Sequence, residues 1–160
     1  MKYIHYLFLG ILLFTACTST DVKDITVIPY PNELTIKSGS FDAAGADISY
    51  DAEFEAYAKD AIVSFAEQLS KTSGKTSATA EGSSSAGFVF VHNPELAKEA
   101  YSIEVSRKAA VIEASSLNGV IYAIQTIKQM LPVEVFGKEA AAEADWSMPC
   151  CTIKIGRAHV

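Results

Sequence analysis

The segment 111-VIEASSLNGVIYAIQTIKQMLP-132 joins a predicted strand directly to a predicted helix. Its first residues, Val111–Ala114, combine β-branched and apolar side chains in a pattern typical of a strand. A helix is predicted to start near Ser116, and Pro132 stops it. The apolar residues between them recur at the spacing of a single helical face: Val120, Ile124, Ile127 and Leu131. The segment therefore predicts a strand followed at once by a helix that packs on the sheet.

The residues before this segment predict two further strands. Tyr101–Val105 alternates between apolar and polar side chains, and the turn at Arg107-Lys108 returns the chain to Val111, which is the pattern of a β-hairpin. Gly87–Val91 is a short apolar run, as expected for a strand buried on both faces. We therefore expect Gly87–Val91 to be a central strand, and Tyr101–Val105 to form a hairpin with the strand that begins at Val111.

A first helix is predicted from Asp51, its N-cap, to Ser73-Gly74, its C-terminal signal. Its apolar face consists of Phe54, Ala58, Ala61, Ile62, Phe65 and Leu69. A short strand at 47–50 precedes this helix. An earlier strand around Leu34 and Ile36 is expected to end at a turn formed by Ser38-Gly39-Ser40.

The remaining elements complete an α+β fold. The polar loop after Gly74 has room for one edge strand, and Pro149–Lys154 reads as a final strand. The predicted order is β-β-α-(β)-β-β-β-α-β. This order favours a two-layer sandwich in which a mixed sheet carries both helices on one face.

The N-terminus has the pattern of an export signal, predicted over residues 1–16. Lys2 precedes an apolar stretch at 7–14 that is short for a membrane span. The sequence Phe14-Thr15-Ala16-Cys17 resembles a bacterial lipobox, with Phe14 where Leu or Val is usual. We expect lipidation at Cys17, a tether over 17–24 and a lipoprotein of a Gram-negative bacterium, periplasmic or at the cell surface. A plain secretory signal is the alternative.

Charge and motif content exclude several classes of function. The chain has 160 residues, room for one domain, and a net charge of −6 with scattered Lys and Arg, which argues against nucleic acid as a partner. His5, His92 and His159 have no metal-ligand spacing, and Cys150-Cys151 is typical of buried thiols. No Asp-Glu dipeptide, nucleophile elbow or phosphate loop is present. We therefore predict no catalytic residue, no cofactor and no metal site here.

The aromatic residues offer one further possibility. Tyr30, Tyr57, Tyr101, Tyr122 and Trp146 could form a platform on which a sugar stacks. Most of them lie on patterned elements, however, so the core is the more common location for such residues.

Four stretches together resemble one family, glycoside hydrolase family 20, the β-N-acetylhexosaminidases. They are VIPYPNELTIKSGSF (27–41), EAYSIEV (99–105), the segment 111–132 and MPCCTIK (148–154). The helix of segment 111–132 carries Gly119, Tyr122, Gln125, Thr126 and Gln129. The resemblance covers residues 25–154 and is to the N-terminal, non-catalytic domain of these enzymes.

The resemblance implies a parent enzyme that removes terminal N-acetylglucosamine or N-acetylgalactosamine from glycans. In such enzymes a Glu acts as general acid, and a neighbouring Asp orients the substrate's own acetamide for attack. Both residues belong to a catalytic TIM barrel, which takes about 250 residues. No catalytic residue is therefore carried over, and this chain alone is expected to be inactive. Its expected partners are that barrel, the glycan substrate of the parent enzyme and, through lipid only, a membrane.

The last six residues, Ile155–Val160, have an unusual back-translation. They can be written ATC GGA AGA GCA CAC GTC, which reads into the sequence of a common short-read sequencing adapter, with TGA as the next codon. We expect residues 155–160 to be non-native and the natural chain to continue beyond Lys154 into the barrel.

Two alternatives remain open at this point. The chain could be a stand-alone surface lipoprotein that binds a glycan or another protein. It could also be the equivalent domain of another glycosidase family, such as an α-glucuronidase.

Overall fold

A computed structural model describes residues 25–156. The strands are β1 (Glu33–Asp42), β2 (Ile48–Tyr50), β3 (Thr79–Glu81), β4 (Gly87–His92), β5 (Tyr101–Val105), β6 (Ala109–Ala114) and β7 (Ser147–Ile155). The helices are α1 (Lys59–Ser73) and α2 (Leu117–Met130), with 3-10 turns at Ala52–Phe54 and Val133–Phe136. The predicted edge strand after Gly74 is therefore present as β3.

All seven strands form one mixed sheet in the order β1-β7-β5-β6-β4-β2-β3. Strands β3, β2, β4 and β6 are parallel neighbours, whereas β6, β5, β7 and β1 pair antiparallel. The predicted hairpin is formed by β5 and β6, with Ile103 opposite Ile112. The mixed sheet and two helices confirm the predicted α+β class.

The core lies between the sheet and the two helices. Alternate residues of β5, such as Tyr101 and Ile103, are buried in one cluster with Ile62 of α1 and Val120 of α2. Glu104, between the buried Ile103 and Val105, is exposed, because successive side chains of a strand point to opposite faces. Both helices therefore pack on the same face of the sheet, as predicted.

The segment 111–132 folds as its pattern predicts. Ser116 has an extended backbone (φ −154°, ψ 169°), and its Oγ accepts a hydrogen bond from the Gly119 N–H at 3.4 Å, so Ser116 is the N-cap. The same hydroxyl donates to the Lys98 carbonyl. Helix α2 ends at Met130, two residues before Pro132. A strand, a capped helix and a proline stop thus follow one another without an intervening loop.

The predicted start of the first helix is wrong. Asp51 precedes a 3-10 turn, and α1 begins only at Lys59. The Asp51 carboxylate caps no helix, because its Oδ2 accepts the His92 N–H of β4 at 2.8 Å. Phe54, in the 3-10 turn, is nevertheless fully buried, so the apolar pattern identified a core position outside the α-helix. The predicted end is correct, with Gly74 in the left-handed conformation (φ 72°).

The turn predicted at Ser38-Gly39-Ser40 is also wrong, since β1 continues through these residues. The pairing with β7 shifts there, from Ile36 opposite Cys151 to Ser40 opposite Pro149. Three residues of β1 thus face one residue of β7, which is a β-bulge. Pro149 has no amide hydrogen for a regular ladder, and a bulge is one of the places where a sheet tolerates proline. Ser38-Gly39-Ser40 therefore form a bulge within β1 and do not end the strand.

Candidate functional site

The polar residues singled out in the sequence do not converge. His92 lies at the end of β4 with its ring edge against Phe54, 5.8 Å between ring centroids, and Ser83, Ser84 and Ser85 lie in an exposed loop. Within residues 25–156, no group of three or more His, Cys, Asp or Glu side chains is placed to hold a metal ion. Within these residues, the features that remain as candidates for a site are surfaces.

The predicted lipidation site, Cys17, lies outside the described residues and stays a prediction. Over 25–156, neither helix has the length and apolar character needed to cross a membrane.

Cys150 and Cys151 of β7 are both free and buried, as predicted. Burial raises the pKa of the Cys151 thiol to about 11, with a smaller contribution from the neighbouring Cys150. A thiol that stays protonated is a poor nucleophile and a poor metal ligand. These cysteines therefore serve as small buried side chains.

Two residues of the resemblance on α2 hold that helix against the sheet. At Gly119, a Cβ would come within 2.8 Å of the Ala100 carbonyl oxygen and 3.1 Å of the Ala114 Cβ, so only glycine allows this approach. The buried Thr126 hydroxyl lies 2.5 Å from the hydroxyl of Tyr101 in β5. These positions are scaffold, as the resemblance implies.

Gln129 has a different task, which is to hold the N-terminal segment. Its Oε1 accepts the Ile28 N–H at 2.8 Å, and its Nε2 donates to the Ile28 carbonyl at 3.1 Å. One side-chain amide thus satisfies both backbone groups of a single residue. The residues before β1 are thereby fixed beside α2, where Ile28 and Pro29 also approach Tyr101 of β5.

Tyr122 and Gln125 of α2 line a small open cavity of about 260 Å³. Its other walls come from Ile28 and Pro29 of the N-terminal segment, from Ile155 at the end of β7, and from Tyr101, Thr126 and Gln129. The lining is mostly apolar, and the Gln129 amide is already engaged by Ile28. This cavity suits an apolar side chain better than a sugar, which needs several free polar partners.

Large apolar side chains are exposed on the helical side of the domain, and two of them, Ile28 and Tyr122, line this cavity. The exposed fraction is 77% for Ile28, 85% for Tyr30, 76% for Val133 and 58% for Phe136. Less exposed members of the same layer are Tyr57, Leu117, Ile121 and Tyr122. We call this set of eight residues the helical surface, because all of them lie on the helices, on the turns beside them or on the segment that Gln129 holds.

The helical surface corrects part of the prediction about aromatic residues. Tyr101 and Trp146 are buried, as expected for core side chains. Tyr30, Tyr57 and Tyr122 are exposed. The apolar spacing of α2 identifies the residues facing the sheet, but it gives no sign that the opposite side is apolar too.

The opposite face of the sheet is different in character. Lys37 pairs with Glu104 at 2.8 Å and Lys154 with Glu33 at 2.9 Å, all four side chains being about half exposed. Glu113 accepts hydrogen bonds from Ser102 and Asn93, each at 3.2 Å. Exposed ion pairs of this kind add little stability and are typical of a face in contact with water.

The comparison with protein families identifies the class of protein. Residues 24–154 match the family description "Glycosyl hydrolase family 20, domain 2". The match spans the whole described sheet except its last residue, and both helices, so the fold is that of a glycoside hydrolase's accessory, non-catalytic domain. Within that class, the chain belongs to glycosyl hydrolase family 20. The family predicted from the four stretches is therefore confirmed.

Solved structures of family 20 enzymes have a similar fold. The TM-score is 0.70 against the β-N-acetylhexosaminidase of Streptomyces coelicolor A3(2), at 22% identity over 81% of this chain and 26% of that chain. It is 0.62 against the exo-β-N-acetylglucosaminidase of Vibrio harveyi, at 25% identity over 81% and 19%. It is 0.57 against the β-N-acetylhexosaminidase of Bacteroides fragilis, at 22% identity over 82% and 25%.

The chain thus spans between 19% and 26% of the length of these enzymes. No curated protein matches it.

Proposed function

We propose that this chain is the accessory domain of a β-N-acetylhexosaminidase and that its helical surface docks on the catalytic barrel of that enzyme. The observation that carries the proposal is the family match, which extends over residues 24–154. It favours the hexosaminidase over an α-glucuronidase parent. In such an enzyme the barrel carboxylates act on the N-acetylhexosamine, and this domain contributes a rigid docking partner.

Two features of the fold support the helical surface as the docking site. Contiguous exposed apolar residues mark interaction surfaces, and the large ones are concentrated on the helical layer, with Ile36 as the exception on β1. In addition, β7 runs towards the cavity, because Lys154 lies opposite Ser102, next to Tyr101, which lines the cavity with Ile28 and Tyr122. A segment that follows β7 therefore leaves the domain at the edge of the helical surface.

Charge substitutions on the helical surface test this docking. The parent enzyme with Val133→Asp and Phe136→Asp should lose domain contact, because two charges would be buried without partners. Its thermal midpoint should fall, and proteases should cleave between the domains. The same pair in the present chain should change the midpoint little, since both side chains are exposed. Thr35→Asp, on exposed β1, is the control; equal effects of control and pair in the enzyme would contradict the docking site.

We also propose that the protein is exported and anchored by lipid at Cys17. The apolar stretch at 7–14, the lipobox-like residues before Cys17 and a tether over 17–24 support this. Two or more acyl chains give stable membrane attachment.

Expression in a Gram-negative host with labelled palmitate tests the anchor. The wild-type chain should incorporate label and partition with membranes, whereas Cys17→Ser should do neither. Cys150→Ser is the matched control and should retain the label, since Cys150 is buried. Unlabelled, soluble wild-type protein in the periplasm would instead show a plain secretory signal.

A further inference from the structure

A second depression of the helical layer lies between α1 and α2. This groove has a volume of about 290 Å³ and is lined by Ala61, Ser64, Phe65, Gln68, Ile121, Ile124, Gln125 and Lys128. Gln125 also lines the apolar cavity, and Ile121 belongs to the helical surface. The groove is therefore continuous with the surface that we propose as the docking site.

Lys128 is the charged residue of this groove. Its side chain is partly buried against the two helices, and burial lowers the pKa of its ammonium group. Gln68, on the facing helix, is held in place because its Nε2 donates to the Val135 and Gly137 carbonyls at 2.8 and 2.9 Å. The groove thus has a fixed wall and one ammonium group that has lost part of its hydration.

No carboxylate of the described chain compensates this charge. The lysines that form ion pairs within residues 25–156 are Lys37, Lys59 and Lys154, each within 2.9 Å of a glutamate oxygen. None of these three lines the groove. A partly desolvated charge without a partner is unfavourable, and a carboxylate supplied from outside would relieve that cost.

We propose that the docked catalytic barrel places a carboxylate in the α1–α2 groove and that this group pairs with Lys128. The inference rests on the proposed docking and adds the chemistry of the partner surface. The barrel is the occupant because β7 runs towards the adjoining cavity: Lys154 lies opposite Ser102, next to Tyr101 of the cavity wall, so a segment that follows Lys154 leaves the domain there. The apolar residues around the groove would exclude water from the pair, as in the centre of a protein interface.

The test compares Lys128→Gln in two proteins, the present chain and the parent enzyme. In the present chain the substitution removes an unpaired, partly buried charge, so the thermal midpoint should stay the same or rise. In the enzyme it leaves the barrel carboxylate buried and unpaired, and the midpoint should fall. Lys108→Gln is the matched control, because Lys108 is exposed in the β5–β6 turn. It makes the same charge change away from the helices and should have no effect in either protein.

Hydrogen exchange of α2 separates this inference from the docking on which it rests. Suppose that α2 exchanges more slowly in the wild-type enzyme than in the present chain, but Lys128→Gln changes the thermal midpoint of both proteins equally. The proposed ion pair is then wrong, and the docking stands. If α2 exchanges equally in the enzyme and in the present chain, the docking itself is wrong. Opposite responses of the two proteins, with α2 protected, support the pair; a compensating Asp or Glu→Lys change in the barrel of a Lys128→Glu enzyme would then identify its partner.

Discussion

Phe88→Ala should destabilise the domain by about 3–5 kcal/mol, the usual cost of removing a buried phenylalanine side chain. Phe88 lies in β4, is fully buried and contacts two other rings edge-to-face: Phe41 and Phe65, each with 5.2 Å between ring centroids. It thereby connects edge strand β1 and helix α1 to the centre of the sheet. Its loss leaves a cavity that rigid neighbours on both sides cannot fill.

Urea unfolding followed by circular dichroism measures this effect. Phe136→Ala is the matched control, because the same side chain is 58% exposed there and its loss should change stability by no more than about 0.5 kcal/mol. A Phe88→Ala variant that unfolds at the wild-type urea concentration would show that the Phe41–Phe88–Phe65 contacts are not part of the core.

Gly87→Ala should be at least as damaging, with an expected loss above about 4 kcal/mol. Gly87 opens β4 with φ 82°, and a Cβ there would lie 2.1 Å from the Asp47 carbonyl oxygen. That carbonyl accepts the Phe88 N–H at 2.8 Å, so relieving the clash breaks the start of the β2–β4 pairing. The substitution therefore combines backbone strain with the loss of strand pairing in the middle of the parallel half-sheet.

Gly82→Ala separates these two contributions. Gly82 also has a positive φ, 117°, but a Cβ at this position would meet no atom within 4 Å beyond its chain neighbours. It should cost only the strain of the backbone conformation, about 1–3 kcal/mol. Equal losses of stability at Gly82 and Gly87 would mean that the contact with Asp47 contributes nothing.

The sequence predicted those parts of the fold that are determined locally. The helix start near Ser116, the stop at Pro132 and the helix end at Gly74 depend on residues close together in the chain, and each is confirmed. The β5–β6 hairpin has the same character, because one tight turn brings its strands together.

The errors arose where a distant contact overrides a local signal. Asp51 has the side chain of a helix cap, yet its carboxylate accepts from His92, which is 41 residues away. Ser38-Gly39-Ser40 has turn-forming residues, yet pairing with β7 keeps β1 extended as a bulge. The residue types at these positions favour certain backbone conformations. They do not determine which distant residue will be the hydrogen-bonding partner.

The candidate site was only partly predictable. The resemblance picked out Gly119, Tyr122, Gln125, Thr126 and Gln129 on one helix, but not their different tasks. Gly119 and Thr126 face the sheet, Gln129 holds Ile28, and Tyr122 and Gln125 line the cavity. The spacing of residues along α2 predicts which of them share a face of the helix. The exposure of Tyr30 and Phe136 depends instead on how segments distant in sequence pack around α2.

The most direct test of the account is to read the genomic DNA of the source organism beyond codon 154. We predict one continuous reading frame that encodes a (β/α)8 barrel with an adjacent Asp-Glu pair, preceded by the domain described above. A genuine stop codon directly after Val160 would contradict the account. The chain would then be a stand-alone member of the family, and the helical surface would need a partner other than a catalytic barrel.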